Sequence, residues 1–253
     1  MTLLTVANLS KSFDGVKAMQ NVSFTVESGR IFSVIGPNGA GKTTLFNLIT
    51  GIYTPTEGDI RIDGVSVAGR RPSDFAALGV ARTFQNLQIC MNMSACENVM
   101  VGAHLRLDHN PLKAAFRLPS LVRRDRELEQ EALELMRFVG LDAFLSARAD
   151  AMPYGALKRL EIARAMALRP RLLFLDEPAA GLNPKETIEI DKLIRRIADS
   201  GVTVVLVEHD MKLVMNLSDR ILVLDYGRKL VEGTRDEVRH HPDVIAAYLG
   251  ANA

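Results

Sequence analysis

The residues best suited to chemistry form one run, Gly36-Pro37-Asn38-Gly39-Ala40-Gly41-Lys42-Thr43-Thr44. It reads G-x-x-x-x-G-K-T, the pattern of a loop that wraps backbone N–H groups around phosphates. Glycines let the chain turn its amides inward, and a following helix adds the partial positive charge of its N-terminus. Lys42 can reach the β- and γ-phosphates of a nucleoside triphosphate, and the Thr43 hydroxyl can ligate Mg²⁺. The flanks fit. Ile31-Phe32-Ser33-Val34-Ile35 reads as a buried strand, and Leu45 to Thr50 reads as a short helix closed by Gly51.

Two carboxylates follow a second apolar run, Leu172-Leu173-Phe174-Leu175-Asp176-Glu177. Asp176 can hold Mg²⁺ directly or through water, and Glu177 can orient and deprotonate a water for in-line attack on a γ-phosphate. A third apolar run, Val202 to Val207, ends in Glu208-His209-Asp210, which places His209 where it could contact the same phosphate. Gln85 closes the stretch Gly79 to Gln85, whose amide can meet both the metal and the helical segment that follows. Phe13 stands out in the otherwise polar stretch Ser10 to Ala18, as a core anchor or as a platform for a nucleotide base.

The elements that must position these groups can be read from hydrophobic pattern. Thr5–Leu9 and Gln20–Val26 predict short strands, and Asp59–Gly64 predicts a hairpin strand after the turn Thr54–Gly58. Gly79–Gln85 predicts a strand ending at Gln85. From Asn86 to about Arg159 strand signal is nearly absent. Ser94–Leu105 looks helical, and in Asp125–Val139 the residues Leu128, Ala132, Leu135, Met136 and Val139 share one helix face. Lys113, Arg117, Arg123, Arg124 and Arg126 make the segment before it basic, a solvated surface or a docking one. The runs at 172–177, 202–207 and 221–224 are continuously apolar, as parallel strands covered on both faces must be. A helix over Lys185–Asp199 and two short ones broken near Pro242 complete the chain. The expected fold is α/β: a P-loop NTPase (RecA-like) core with an N-terminal antiparallel β subdomain and an inserted α-helical subdomain. The expected division is 1–88 and 161–253 for the core, which the resemblance given below implies is ATP-binding, and 89–160 for the inserted helical subdomain, which it implies carries the signature segment.

At 253 residues, with 47% hydrophobic and 24% charged residues, the chain can bury a sizeable core. A net charge of +1 gives no global pull toward nucleic acid or an anionic membrane. Cys90 and Cys96 make neither a metal spacing nor a disulfide framework. No run approaches a membrane span, and Met1–Thr5 lacks the basic start of an export signal, so any membrane role is expected to come through a partner.

Taken together, Phe13, Gly36–Thr43, Gln85, Met152-Pro153-Tyr154-Gly155-Ala156, Leu172–Glu177, Ala180-Gly181-Leu182-Asn183 and His209 resemble an ATP-binding-cassette nucleotide-binding domain. The resemblance covers essentially the whole chain. It implies Phe13 as the adenine-stacking aromatic with Val16 beside it, Glu177 as catalytic base, His209 as switch histidine, and Gln85 as the glutamine-loop residue near the metal. It also implies a head-to-tail dimer in which Tyr154 and Gly155 face the partner's nucleotide. The usual Leu-Ser-Gly-Gly-Gln signature is altered: Pro153 replaces serine, Tyr154 the first glycine and Ala156 the glutamine. Narrower stretches, Leu160–Ala165, Asp176–Pro184, Glu208–Lys212 and Pro242–Gly250, resemble the longer ATPase subunit of branched-chain amino acid importers. That resemblance implies ATP and Mg²⁺ as ligands, two integral-membrane permeases, a second cassette ATPase (or a homodimer in isolation) and, indirectly, an extracytoplasmic binding protein. It implies a peripheral position on the cytoplasmic face of the membrane and no nucleic-acid partner. Urea or short-amide import, lipopolysaccharide export, and a soluble DNA-repair or translation cassette are the alternative assignments.

Overall fold

The computed structural model of the chain describes residues 1–106 and 119–250. Lys113 and Arg117 of the basic segment lie outside them. Two sheets organise the molecule. The first is antiparallel, with strands β1 (Thr2–Phe13), β2 (Val16–Glu27), β4 (Glu57–Ile62) and β5 (Val65–Ser66) in the order β2-β1-β4-β5. The second runs β10-β9-β3-β8-β7-β6, where β3 is Ile31–Ile35, β6 Val80–Arg82, β7 Leu172–Asp176, β8 Thr203–Val207, β9 Arg220–Asp225 and β10 Arg228–Gly233. Strands β9, β3, β8, β7 and β6 are parallel, and β10 is an antiparallel edge.

The parallel strands are apolar throughout because each face has its own cover. Along β7 and β8, Leu173, Leu175, Val204 and Leu206 pack into the core shared with the inserted helices. Their neighbours Leu172, Phe174, Val205 and Val207 point the other way, into a core shared with the antiparallel sheet and the P-loop helix. Successive side chains on opposite faces are the period of two expected of strands. Each such side chain contributes about 1.5–3 kcal/mol of burial. A helix-covered, fully buried sheet therefore holds its strand ends rigidly, and those ends carry the chemistry.

Several elements differ from the sequence expectation. The polar stretch around Phe13 turns only at Asp14-Gly15, both at positive φ (46° and 88°), and the rest of it belongs to one long hairpin of β1 and β2. Such a two-residue turn matches strand twist and needs the left-handed conformations that Asp and Gly tolerate. Strand β6 stops at Arg82 and does not reach Gln85. Thr83 still donates its N–H to Phe174 O at 2.9 Å, but its hydroxyl accepts from Asp176 N at 3.3 Å and the chain then leaves the sheet. Strand β10 has no counterpart in the hydrophobic pattern, since an edge strand such as Arg228-Lys229-Leu230-Val231-Glu232 is mostly polar.

The inserted helices follow the expected faces. The helix Pro119–Phe138 buries Leu128, Ala132 and Met136, with Val139 just beyond its end, while Arg123 and Arg124 stay at the surface beside Glu127. Ala95–Gly102 starts at a capping box in which Ser94 accepts from Glu97 N and Glu97 accepts from Ser94 N. The helix Tyr154–Met166 runs from the signature segment back to the sheet. No helix among the described residues is long and apolar enough to cross a membrane.

Candidate functional site

The P-loop leaves the carboxyl end of β3, the strand between β9 and β8, and feeds directly into the helix Lys42–Ile49. Gly36 has no room for a side chain: a Cβ would lie 2.2 Å from Leu224 O on β9. The helix begins at Gly41 with φ 98°, and no side chain caps it. Lys42 crosses the loop, its Nζ donating to Gly36 O at 2.7 Å and Pro37 O at 3.0 Å. Burial pushes the Lys42 pKa down, partly offset by the nearby Glu177 carboxylate.

The parallel register brings the other groups to the same edge. Glu177 follows β7 in a left-handed conformation (φ 47°), its N–H bonded to Val207 O at 2.9 Å. A glutamate there is unusual and strained, and strain of this kind clusters at functional sites. Gln85 Nε2 donates to Glu177 Oε2 at 3.2 Å, and His209 Nδ1 lies 3.8 Å from the same oxygen. Lys42, Gln85, Glu177 and His209 thus converge. Glu208, only 1% exposed, anchors this corner by accepting from Ala179, His209 and Asp210 N–H groups. Burial pushes its pKa up against those bonds.

Asp176 is 5% exposed at the last position of β7. Burial pushes its pKa up, and a hydrogen bond and ion pair with Arg82 oppose that. The donor set suits Mg²⁺: a hydroxyl (Thr43), a carboxylate (Asp176) and an amide (Gln85) offer hard oxygen ligands. No cluster of three or more His, Cys, Asp or Glu among the described residues could cage a metal alone. Mg²⁺ binds in that way, through one or two protein oxygens plus phosphates and water.

Phe13 and Val16 face each other across the hairpin turn. Phe13 is 38% exposed and packs edge-on against Tyr53 at 5.2 Å, while Lys11 sits 4.9 Å from its ring centre. Tyr53 N bonds to Asn47 O of the P-loop helix, so the aromatic tip is fixed to that helix. Tyr154 and Gly155 have different neighbours. Gly155 is pressed against the Glu186 carboxylate, Tyr154 lies against Gly181, and Lys158 Nζ sits 5.8 Å from the Tyr154 ring centre.

Three charged residues at this site carry no signal in the sequence pattern. Arg82 grips Asp176. Glu161, 3% exposed on the signature helix, accepts from Phe84 and Gln88 N–H groups at 3.4 Å, and Lys158 Nζ donates to Gln85 O at 3.4 Å. The only hint was positional: Lys158 and Glu161 are charged residues on a helix whose other positions are largely apolar.

Comparison with known proteins agrees with this geometry. Residues 19–180 match the ABC transporter family, and residues 228–253 match the branched-chain amino acid ATP-binding cassette transporter family. The chain is 47% identical over 249 residues to the high-affinity branched-chain amino acid transport ATP-binding protein BraF of Pseudomonas aeruginosa, covering 98% of each. It is 43% identical to LivG of Escherichia coli, again over 98% of each chain. Among solved structures, an ATP-binding cassette of an ABC transporter in its ADP conformation superimposes with a TM-score of 0.86 at 29% identity, covering 99% of each chain. A P-loop facing two strand-end carboxylates, in a chain matched end to end by such relatives, places the protein in the ABC transporter family as one of its ATP-binding subunits.

Proposed function

We propose that this chain binds and hydrolyses ATP to drive import of branched-chain amino acids. The observation that carries the hydrolytic reading is the convergence of Gln85 and His209 on Glu177 beside Lys42. Phe13, with Val16, would stack on the adenine. The P-loop amides, Gly36 through Thr44, would hold the phosphates, and Lys42 would exchange its loop carbonyls for phosphate oxygens. Thr43, Asp176 and Gln85 would hold Mg²⁺, which when bound neutralises charge on the phosphate oxygens. Glu177 would take a proton from water, with Gln85 hydrogen-bonded to its carboxylate and His209 beside it. The substrate class is carried over from BraF and LivG and from the match at residues 228–253.

Two cassettes would face each other head to tail, with Tyr154 and Gly155 of one chain closing over the nucleotide of the other. Two membrane permeases would complete the assembly, with a second cassette ATPase and an extracytoplasmic binding protein. The chain would sit peripherally on the cytoplasmic face. A groove of about 320 Å³ between the sheet and the inserted helices would receive a helical segment of a permease. It is lined by Ile52, Phe75, Phe84, Val101 and Leu168 and adjoins the Gln85 segment, so docking there would reach the catalytic corner. The test is reconstitution with co-purifying permeases in liposomes. ATP-dependent uptake of radiolabelled leucine, lost in Glu177→Gln, is the expected result. ATP turnover without uptake of any branched-chain amino acid would refute the substrate assignment and leave the ATPase.

A further inference from the structure

Arg82, the last residue of β6, has a side chain only 8% exposed. Its Nη2 donates to Asp176 Oδ2 at 2.9 Å, and its Nη1 donates to Asn47 Oδ1 at 2.9 Å and Thr50 Oγ1 at 2.7 Å. The Thr50 hydroxyl proton is already committed to Phe46 O at 2.6 Å, so its oxygen is free to accept. The guanidinium carbon sits 5.5 Å from the Phe46 ring centre and 5.0 Å from that of Phe84. Its Nε is buried without a partner. A buried ion pair replaced whole by well-packed apolar groups is often no less stable, so net stability does not account for this pair, although removing one partner alone leaves the other charge buried and unpaired. What the charge adds is direction. Only a planar fork can hold a carboxylate with one arm and two helix acceptors with the other.

We propose that Arg82 is a positioning residue for the metal half of the nucleotide site. One guanidinium ties the Asp176 carboxylate to the C-terminal end of the helix whose first turn carries Thr43. Two oxygen ligands that arise from elements far apart in sequence are thereby held in fixed relation. Arg82 engages Oδ2 of Asp176, and its backbone leads through Phe84 into Gln85, so the same brace sets where the glutamine segment begins. This inference rests on the reading that Mg²⁺–ATP binds at the P-loop, and it goes further by assigning metal affinity to a residue that touches neither metal nor nucleotide.

The test is equilibrium binding of a fluorescent ATP analogue to the full chain, in EDTA and in excess Mg²⁺. Arg82→Met is expected to keep the metal-free affinity within about twofold while losing about tenfold of the tightening that Mg²⁺ confers, the usual size of an effect on a ligand's supporting hydrogen bonds. Half-saturating Mg²⁺ rises in parallel. Equal weakening with and without metal would mean a structural role only and would overturn the proposal, as would an unchanged Mg²⁺ response. Where Arg82→Met fails to fold, the double variant Asn47→Ala/Thr50→Val keeps the Arg82–Asp176 pair and cuts the other arm. A smaller loss of Mg²⁺ tightening, about threefold, is then expected, and none would overturn the brace. Wild-type protein that binds no analogue in either condition would instead remove the nucleotide reading beneath it.

Discussion

Two helix N-termini are proposed to meet phosphate in this molecule, and they are built differently. The helices beginning at Ala95, Pro184 and Met211 are capped by side chains of Ser94, Asn183 and Asp210. The P-loop helix and the signature helix are not: Gly41 and Pro153 stand at their N-caps without a side-chain hydrogen bond. Both therefore leave amides for an outside acceptor. The P-loop end adds a half-buried lysine, a strained glutamate and two buried carboxylates within one corner. The signature end adds an exposed tyrosine and a proline that has neither N–H nor hydroxyl. One chain thus concentrates its titratable and oxygen-bearing side chains at one end and offers mainly backbone dipoles at the other. The catalytic end should be intolerant of change and the signature end tunable.

The largest expected effect follows from removing the base. Glu177→Gln keeps size and most hydrogen bonding but takes no proton. We expect single-turnover hydrolysis to fall about 10²–10⁴-fold, with ATP binding retained. Turnover within threefold of wild type would mean that Glu177 is not the base and that the contrast between the ends has been drawn at the wrong residue.

The glycines sharpen the contrast. A Cβ at Gly36 would meet backbone, Leu224 O at 2.2 Å, whereas at Gly155 it would meet a side chain, Glu186 Oε1 at 2.3 Å. Backbone cannot step aside and a glutamate can. Gly36→Ala should cost about 2–3 kcal/mol in urea melts, and Gly155→Ala about 1 kcal/mol or less. Equal costs would remove the idea that the signature end is the softer one.

Lys42 supplies a pH signature. Its pKa is lowered by burial, so the folded protein binds fewer protons at this site than the unfolded chain. Stability from this group is therefore gained as pH rises toward the ordinary lysine range. Phosphate binding needs the charged form, so affinity should move the other way and weaken as pH rises from neutral toward the ordinary lysine range. Lys42→Arg stays charged and should bind with a flat profile over that range. A wild-type profile equally flat would show that Lys42 does not face the phosphates.

Much of this is legible in the sequence. The P-loop spacing, the apolar runs that became β3, β7, β8 and β9, and the helix face of Leu128, Ala132 and Met136 all follow from local pattern. What stayed hidden depends on partners distant in sequence. Arg82 meets an aspartate 94 residues away, and Glu161 meets amides 77 and 73 residues away. A charge in a sequence reads as surface until a fold supplies the group that neutralises it. The left-handed backbone of Glu177 is equally invisible in the sequence, because it accompanies a bond from its N–H to Val207 O on a strand distant in sequence. Strand β10 carries no mark in the sequence, since an edge strand needs only one apolar face.

The smallest effect bears most directly on the signature end. Pro153 sits at φ −68° and ψ 156°, the extended conformation usual for an N-cap, and its carbonyl accepts from Ala156 at 2.9 Å and Leu157 at 3.0 Å. Serine adopts the same backbone without strain, so Pro153→Ser should leave the helix in place. The new hydroxyl has two possible partners. In the isolated chain it can cap its own helix, which should raise stability by about 0.5–1 kcal/mol. In the assembled transporter it can instead reach a phosphate across the interface, and turnover should rise about two- to fivefold, the worth of one added hydrogen bond. A stability gain without faster turnover would mean that the hydroxyl serves only the helix. The altered signature would then set no limit on the rate, and the limiting step would lie in the Glu177 corner alone.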